Sequence, residues 1–457
     1  MNRIATIARQ STLDGLSRAD RTSGGSPERL PGLSGAVHLP GTEAYEELRK
    51  PLRADLDPRP AVVVEAATAA DIRATLLAAR RAGVPLAVQA TGHGTHVAAD
   101  DAVLLRTTNM TSVLVDPARR IARVGPGARW GQVLAAAAPF GLAPLSGSSP
   151  TVGVTGYTLG GGVGWLARKH GFAADSVVRA QVLTADGRLL TTGPDQYPDL
   201  FWALRGGGGG FGIVTSLEFQ LYPVDQVTAG FLYVPLSGEA VAAYETWTAT
   251  LPDDMSTALV VRRMPATDDV PANLRDRSVI MLKVLHSGDT GQTRALLAPM
   301  LAAAGPVLHD ELGVLPYAQA AMGGTAARHL DFFPALPTGA ITELLADHAA
   351  TGSTVEIRHW GGAMAQPGPG AGPAGHRAAP FSVILDTPQP DTASRLSAYG
   401  TGATFLNFLA DTGRTPTAFD PENLRRLRDV KRFYDPDDFF ALGHTVTAPP
   451  RHHRLAA

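Results

Sequence analysis

Residues 147–164 read Gly147-Ser148-Ser149-Pro150-Thr151-Val152-Gly153-Val154-Thr155-Gly156-Tyr157-Thr158-Leu159-Gly160-Gly161-Gly162-Val163-Gly164, glycine recurring through an otherwise apolar run. Glycine so placed marks backbone that turns sharply or approaches a ligand closely. The segment offers many amide donors with little side-chain bulk, enough to wrap a large flat cofactor. Upstream, Val88-Gln89-Ala90-Thr91-Gly92-His93-Gly94-Thr95 sets Gly-His-Gly at the end of a strand, a nest of amides suited to a pyrophosphate. A third cluster, Gly206–Gly210, reads alone as a flexible linker. The order of all three carries the information.

Working outward, Ala61–Glu65 is an apolar strand, and a helix opened by Asp71 follows, with Ile72, Leu76, Leu77 and Ala79 on one face and Gly83 stopping it. Leu86–Val88 resumes a strand, giving a βαβ unit that runs into the His93 turn. Strands are expected at 102–105, 112–116 and 121–124, a helix from Trp130 to Gly141, a hairpin over 177–191 and a strand over 211–222. Beyond Pro223 the pattern changes to longer alternating strands (258–263, 278–285, 354–360, 381–386) with helices at 240–250, 292–304 and 336–349. That is an α+β arrangement around an antiparallel sheet, with a boundary near 224.

The 457 residues include no cysteine, so disulfides, thiolate metal sites, iron–sulfur clusters and a cysteine nucleophile are excluded. Forty basic against 42 acidic side chains argue against a nucleic-acid coat. The sequence lacks a long uninterrupted apolar run and any histidine–carboxylate spacing typical of a metal site, and His452-His453 falls in a tail. A soluble cytoplasmic protein without membrane, nucleic-acid or metal partners, monomeric or a homodimer, is the expectation.

Six separated motifs share one order with a known family. They are Val88–His93, Ser149–Val154 with its glycine-rich turn, Arg168-Lys169-His170-Gly171, Asp199–Val214, Phe405-Leu406-Asn407-Phe408 and Lys431–Asp438. With them the chain resembles, over residues 38–446, the berberine bridge enzyme-like FAD-linked oxidases of the vanillyl-alcohol oxidase group. The resemblance implies a flexible arm (1–36), a PCMH-type FAD-binding domain of two subdomains (37–223), a substrate domain (224–430) and a C-terminal segment returning to the FAD domain (431–457). It further implies FAD carried covalently by His93. The cradle it implies comprises Gln89, Ala90, Thr91, Gly92, Gly94 and Thr95, then Gly147, Ser148, Thr151, Val152, Gly153, Gly156, Tyr157, Gly160, Gly161, Val163 and Gly164, and finally Gly212, Ile213, Val214 and Asn407.

Departures from the family pattern narrow the expectation. Doubly attached members carry a cysteine where Ser149 stands, so only a single link through His93 is open here. Gln89 replaces a usual arginine and Thr91 a usual glycine. Many members place a catalytic tyrosine two residues before the asparagine; here that residue is Phe405, which has no proton to exchange. Asp386 is the candidate base, and Arg358, Trp360, Phe405 and Asn407 are candidate substrate contacts, with Tyr233 and Tyr317 weaker. Glu356, Arg358 and Trp360 share one face of their strand. Val152 is implied to gate oxygen, and Gly147 to leave it room. The function so implied is a hydride-abstracting oxidase acting on a small secondary metabolite, an amine or alcohol, with O2 as acceptor. The alternatives are a drug-sequestering resistance protein with little turnover, or a sugar oxidase.

Overall fold

The computed structural model of the protein describes residues 33–447. Most of the expected N-terminal arm, and His452-His453, lie outside them. Residues 33–36 are not part of an arm: Leu33 packs on a hydrophobic core, and Ala36 begins the strand Ala36–His38, antiparallel to Val62–Glu65.

The first sheet has four strands in the order Ala36–His38, Val62–Glu65, Val103–Arg106, Leu86–Gln89, the last three mutually parallel. Its crossover helix, Ala69–Ala82, is capped by Thr68 and so begins two residues before Asp71. Thr68 Oγ1 accepts from Asp71 N at 3.2 Å, while the Asp71 carboxylate accepts from Thr68 N at 3.0 Å, a reciprocal cap that satisfies two backbone donors the helix leaves free. Ile72, Leu76 and Ala79 then bury one face against the sheet, and Gly83 ends the helix in the left-handed conformation (φ 64°).

The second sheet is antiparallel, ordered Val113–Asp116, Ile121–Val124, Ile213–Gln220, Val177–Leu183, Leu189–Thr192. Trp130, Trp202, Phe211 and Phe219 fill its core with the helices Trp130–Ala137 and Pro198–Leu204.

Residues 226–385 carry the third sheet, whose main path runs His309–Asp310, Gln226–Pro235, Ser278–His286, Met255–Arg263, Val355–His359, Phe381–Leu385, His329–Phe333. The sequence pattern had not revealed Gln226–Pro235 or His329–Phe333. Alternation divides the sheet. Leu232, Leu259, Leu282, Ile357 and Val383 face the helices Gly238–Thr248, Thr290–Ala304 and Thr338–Thr351. The opposite face carries Lys283, Glu356 and Arg358 beside Val260 and Met281.

The return to the first half begins earlier than residue 431. Leu406, Leu409, Ala418 and Phe419 already lie in the core of the second sheet, followed by Leu427 and Val430 of the helix Pro421–Tyr434. Buried Lys431 fixes this helix, its ammonium donating to Gly210 O at 2.8 Å and pairing with Asp435 at 2.6 Å. The buried partner explains why a lysine is tolerated there and why the five-glycine run is anchored, not free. Among the described residues no helix is long and apolar enough to cross a membrane.

Candidate functional site: a glycine-lined cleft beneath a charged sheet face

The fold brings the first two glycine clusters together. Gly92 has φ 81°, and a Cβ there would lie 2.8 Å from Gln89 Nε2, so this turn requires glycine. The turn leaves His93 exposed, its ring held between two hydroxyls: Nδ1 lies 2.8 Å from Thr91 Oγ1 and Nε2 3.3 Å from Thr151 Oγ1. Ser149 Oγ in turn lies 2.9 Å from Thr151 Oγ1. Partial desolvation, with the Arg129 cation adding to it, lowers the proton affinity of His93. Thr91 also packs on Gly153, whose added Cβ would sit 3.2 Å from Thr91 Oγ1. Backbone bonds from Trp130 N to Val152 O (3.0 Å) and Gly131 N to Pro150 O (2.8 Å) tie this loop to a helix start.

The glycines of residues 147–164 divide into two kinds. A Cβ on Gly160 would lie 2.6 Å from Asn407 Nδ2, on Gly161 2.7 Å from Phe405 Cζ, on Gly162 2.4 Å from the Tyr157 ring, and on Gly164 1.9 Å from Ser146 O. These glycines admit other parts of the protein. Gly156, like Gly94 in the upstream turn, instead opens onto space with nothing within 4 Å. Asn407 latches the run from the C-terminal segment: its Nδ2 donates to Tyr157 O (2.9 Å) and its Oδ1 accepts from Gly162 N (2.8 Å). Both ends of the amide are thereby engaged by backbone. Gly212, Ile213 and Val214 meet the sheet and core, so only their main chain is available to a ligand. Val163 lies in an aromatic cluster, and Val152 packs at the edge of the second sheet's core.

The cleft can accommodate an FAD. Trp130 Nε1, Thr155 Oγ1, Thr158 Oγ1, Tyr157 Oη and Trp165 Nε1 are buried without a hydrogen-bond partner around the glycine run, which is the signature of a site that a polar ligand completes. Backbone at Gly94 and Gly156 has the room, and His93 stands beside them.

Over the cleft lies the polar face of the third sheet. Glu356 is fully buried; its Oε1 accepts from Arg358 (2.6 Å), and its Oε2 accepts from Lys283 (3.2 Å) and Thr325 (2.8 Å). Burial would raise its pKa, but the Arg358 and Lys283 cations overcome that and hold it at about 2. Burial lowers the proton affinity of Lys283. Arg358 also stacks over Trp165, 5.1 Å from the ring centre. A cavity of about 370 Å³ opens beside the network, walled by Tyr233, Val260, Arg262, Met281 and the loop 322–326. That loop rests on the cradle, Gly323 N donating to Ser148 O at 3.1 Å.

Several sequence expectations change here. Trp360 and Phe405 are fully buried, packed on each other, Phe172 and Phe332, and the indole donates to Ser382 Oγ at 2.8 Å; neither presents a surface to substrate. Asp386 does reach the cavity rim, but its Oδ1 accepts from Thr354 N, Ser353 and Thr387 (2.7–3.2 Å), which keeps its proton affinity low against the opposing effect of burial and makes it a staple of the strand end instead of a base. Arg358 is near the cavity, with its fork engaged by Glu356. Tyr317 is buried and hydrogen-bonded to Ser146 (3.0 Å). Lys283, Arg262 and Thr325 had not been singled out. A lysine inside the apolar strand Ser278–His286 was the available signal.

Residues 60–193 match the family model described as FAD binding domain, and 404–446 that described as berberine and berberine like. Together with the cleft, this makes the protein an FAD-dependent oxidoreductase. The chain is 29% identical over 425 residues to (R)-6-hydroxynicotine oxidase of Paenarthrobacter nicotinovorans, covering 85% of this chain and 91% of that protein. It is 38% identical over 168 residues to xylooligosaccharide oxidase of Thermothelomyces thermophilus, covering 36% of this chain and 34% of the other. The solved structure of Physcomitrella patens BBE-like 1 superposes with a TM-score of 0.80 at 19% identity, covering 97% of this chain and all of that one, a likeness of fold. By these matches and likenesses the chain is similar to the berberine bridge enzyme-like FAD-linked oxidoreductases.

Proposed function

We propose that the protein is an oxidase that carries FAD on His93 and oxidises a C–H bond of a small metabolite bound between the glycine cradle and the charged sheet face, with O2 as the final acceptor. Bound FAD supplies the hydride acceptor, at its N5 atom, and returns electrons to an external oxidant. The observation that carries this reading is the exposed His93 imidazole, positioned by Thr91 and Thr151 at the mouth of a cleft floored by unpartnered buried donors. Ser149 leaves no second thiol tether.

The residues of this chain bind, orient and exclude water. Asn407 and Thr151 brace the cradle itself, and the loop 322–326, which lines the cavity and donates from Gly323 N to Ser148 O, sets the cavity beside it. Tyr157 keeps its proton, because burial, with Tyr317 next in effect, pushes its pKa far up; its hydroxyl is buried without a partner beside Gly147 and Gly164. Glu356 is too acidic and Asp386 too heavily hydrogen-bonded to accept a proton efficiently at neutral pH. Lys283 donates to Glu356 Oε2 and to Gly323 O, so on the cavity wall it serves as a charge partner and a tie to the loop 322–326. Relatives named as oxidases support turnover over sequestration.

The test is the intact mass of the denatured protein. A yellow acid precipitate, heavier than the polypeptide by one flavin dinucleotide, is expected; a colourless precipitate of bare polypeptide mass overturns the attachment. Anaerobic reduction followed by mixing with air then tests the acceptor: rapid reoxidation is expected, and sluggish reoxidation refutes oxidase activity.

A further inference from the structure

The cavity above the cradle has an apolar wall of Phe231, Val260, Met281 and Met322 set among polar and charged groups, and its charges do not balance. Cations come from Arg262 and Lys283 on its wall and from Arg358 in the network behind, carboxylates from Glu356 and Asp386. Both carboxylates are engaged: Glu356 by Lys283, Arg358 and Thr325, and Asp386 by the three donors at its strand end. Arg262 has no counterpart. Among the described residues its side chain makes no hydrogen bond or ion pair, and its Nε is buried without a partner. Its neighbour Arg263 points the other way and pairs with Asp276 at 2.7 Å. Strand alternation therefore aims one arginine outward to a surface carboxylate and the other into the cavity, where none waits.

A guanidinium partly withdrawn from water and left unpaired is destabilising, and proteins retain one where a ligand supplies the anion. We propose that Arg262 anchors a carboxylate on an otherwise apolar or aromatic substrate, so that the substrates of this protein are small organic acids, not protonated amines. The inference rests on the reading of this cavity as the substrate site and sharpens its substrate class. The planar fork of arginine accepts a carboxylate in two parallel hydrogen bonds. A protonated amine in the same place would meet Arg262 and Lys283 with no free carboxylate to receive it. The carboxylate end then lies at Arg262, and the apolar body runs along Val260 and Met281 toward Lys283 and the cradle.

The test is calorimetric titration of the full-length, flavin-loaded protein with 2-naphthoate, 2-naphthamide and 2-naphthylmethylammonium, which share a ring system and differ in charge. Naphthoate is expected to bind at least about tenfold more tightly than the amide, with the ammonium weakest. Arg262→Gln should bring naphthoate down to the level of the amide while leaving the amide unchanged, and Arg262→Lys should retain part of the preference. Equal binding of acid and amide, no binding of any probe, or an acid preference that survives Arg262→Gln would overturn the proposal. The readout does not depend on turnover. A preparation without bound flavin that still prefers the acid would sink the proposed oxidase and leave the anion site standing, and a yellow protein indifferent to charge would do the reverse.

Discussion

Replacing Glu356 by glutamine removes the one negative charge that Lys283 and Arg358 share while keeping the shape of the side chain. The carboxylate is fully buried, and both cations are nearly so. Removing one member of such a pair leaves uncompensated buried charge, at a cost of about 3–5 kcal/mol. Linkage gives a second route to the magnitude. A carboxyl group held at about 2 in the folded protein against its ordinary 4.5 contributes about 3 kcal/mol of stability. Because the folded pKa is depressed, that contribution is fully present above pH 4.5 and is lost as pH falls toward 2. The assay is urea unfolding of the wild type and Glu356→Gln at pH 7, 5 and 3.5, followed by tryptophan fluorescence. A difference of about 3 kcal/mol is expected at pH 7 and 5, with about 1 kcal/mol of it gone at pH 3.5. Unfolding curves that coincide at pH 7, or a difference that does not change between pH 5 and 3.5, would refute the idea that the two cations hold this group ionised.

Other perturbations probe the cleft. His93→Ala should give a protein whose denatured mass is that of the polypeptide alone and whose yellow colour stays in the supernatant after acid precipitation. Gly162→Ala places a methyl 2.4 Å from the Tyr157 ring at φ 74° and should destabilise the protein by about 1–3 kcal/mol in thermal unfolding. Gly156→Ala, whose methyl enters open space, should leave the unfolding of the flavin-free protein unchanged and lower flavin content on reconstitution, measured by visible absorbance. Asp386→Asn should reduce kcat by less than about tenfold, since a general base contributes about 10²–10⁴-fold and this carboxylate staples a strand end; a loss within that larger range would restore Asp386 as the base.

The sequence was most informative where local rules determine structure. The strand and helix patterns around residues 62–89 and the hairpin at 177–192 followed from periodicity, glycine stops and turn residues, and tertiary packing moved their ends only slightly. It was least informative where a residue's role depends on what packs against it from far along the chain. The glycines at 160–162 read as a ligand wrap, yet much of their need for glycine comes from Asn407, Phe405 and Tyr157. Trp360 does lie on the predicted face of its strand, but Phe172 and Phe405 cover it. Gln226–Pro235 was hidden because Gly230 and mixed polar residues blur its alternation, although its pairing with Ser278–His286 is among the longest in the sheet. Lys283 and Arg262 required the register of three strands before their shared cavity became visible.

The late return of the chain bears on how the molecule is made. Asn407 latches the glycine run, and Lys431 grips Gly210, so the wall of the cleft is completed by residues that follow the whole intervening sheet unit in the chain. A nascent chain on the ribosome has finished both nucleotide-side sheets and the whole intervening substrate unit before that latch emerges. Closure of that wall therefore waits for residues 404–431, and a chain stopped before residue 404 lacks the latch.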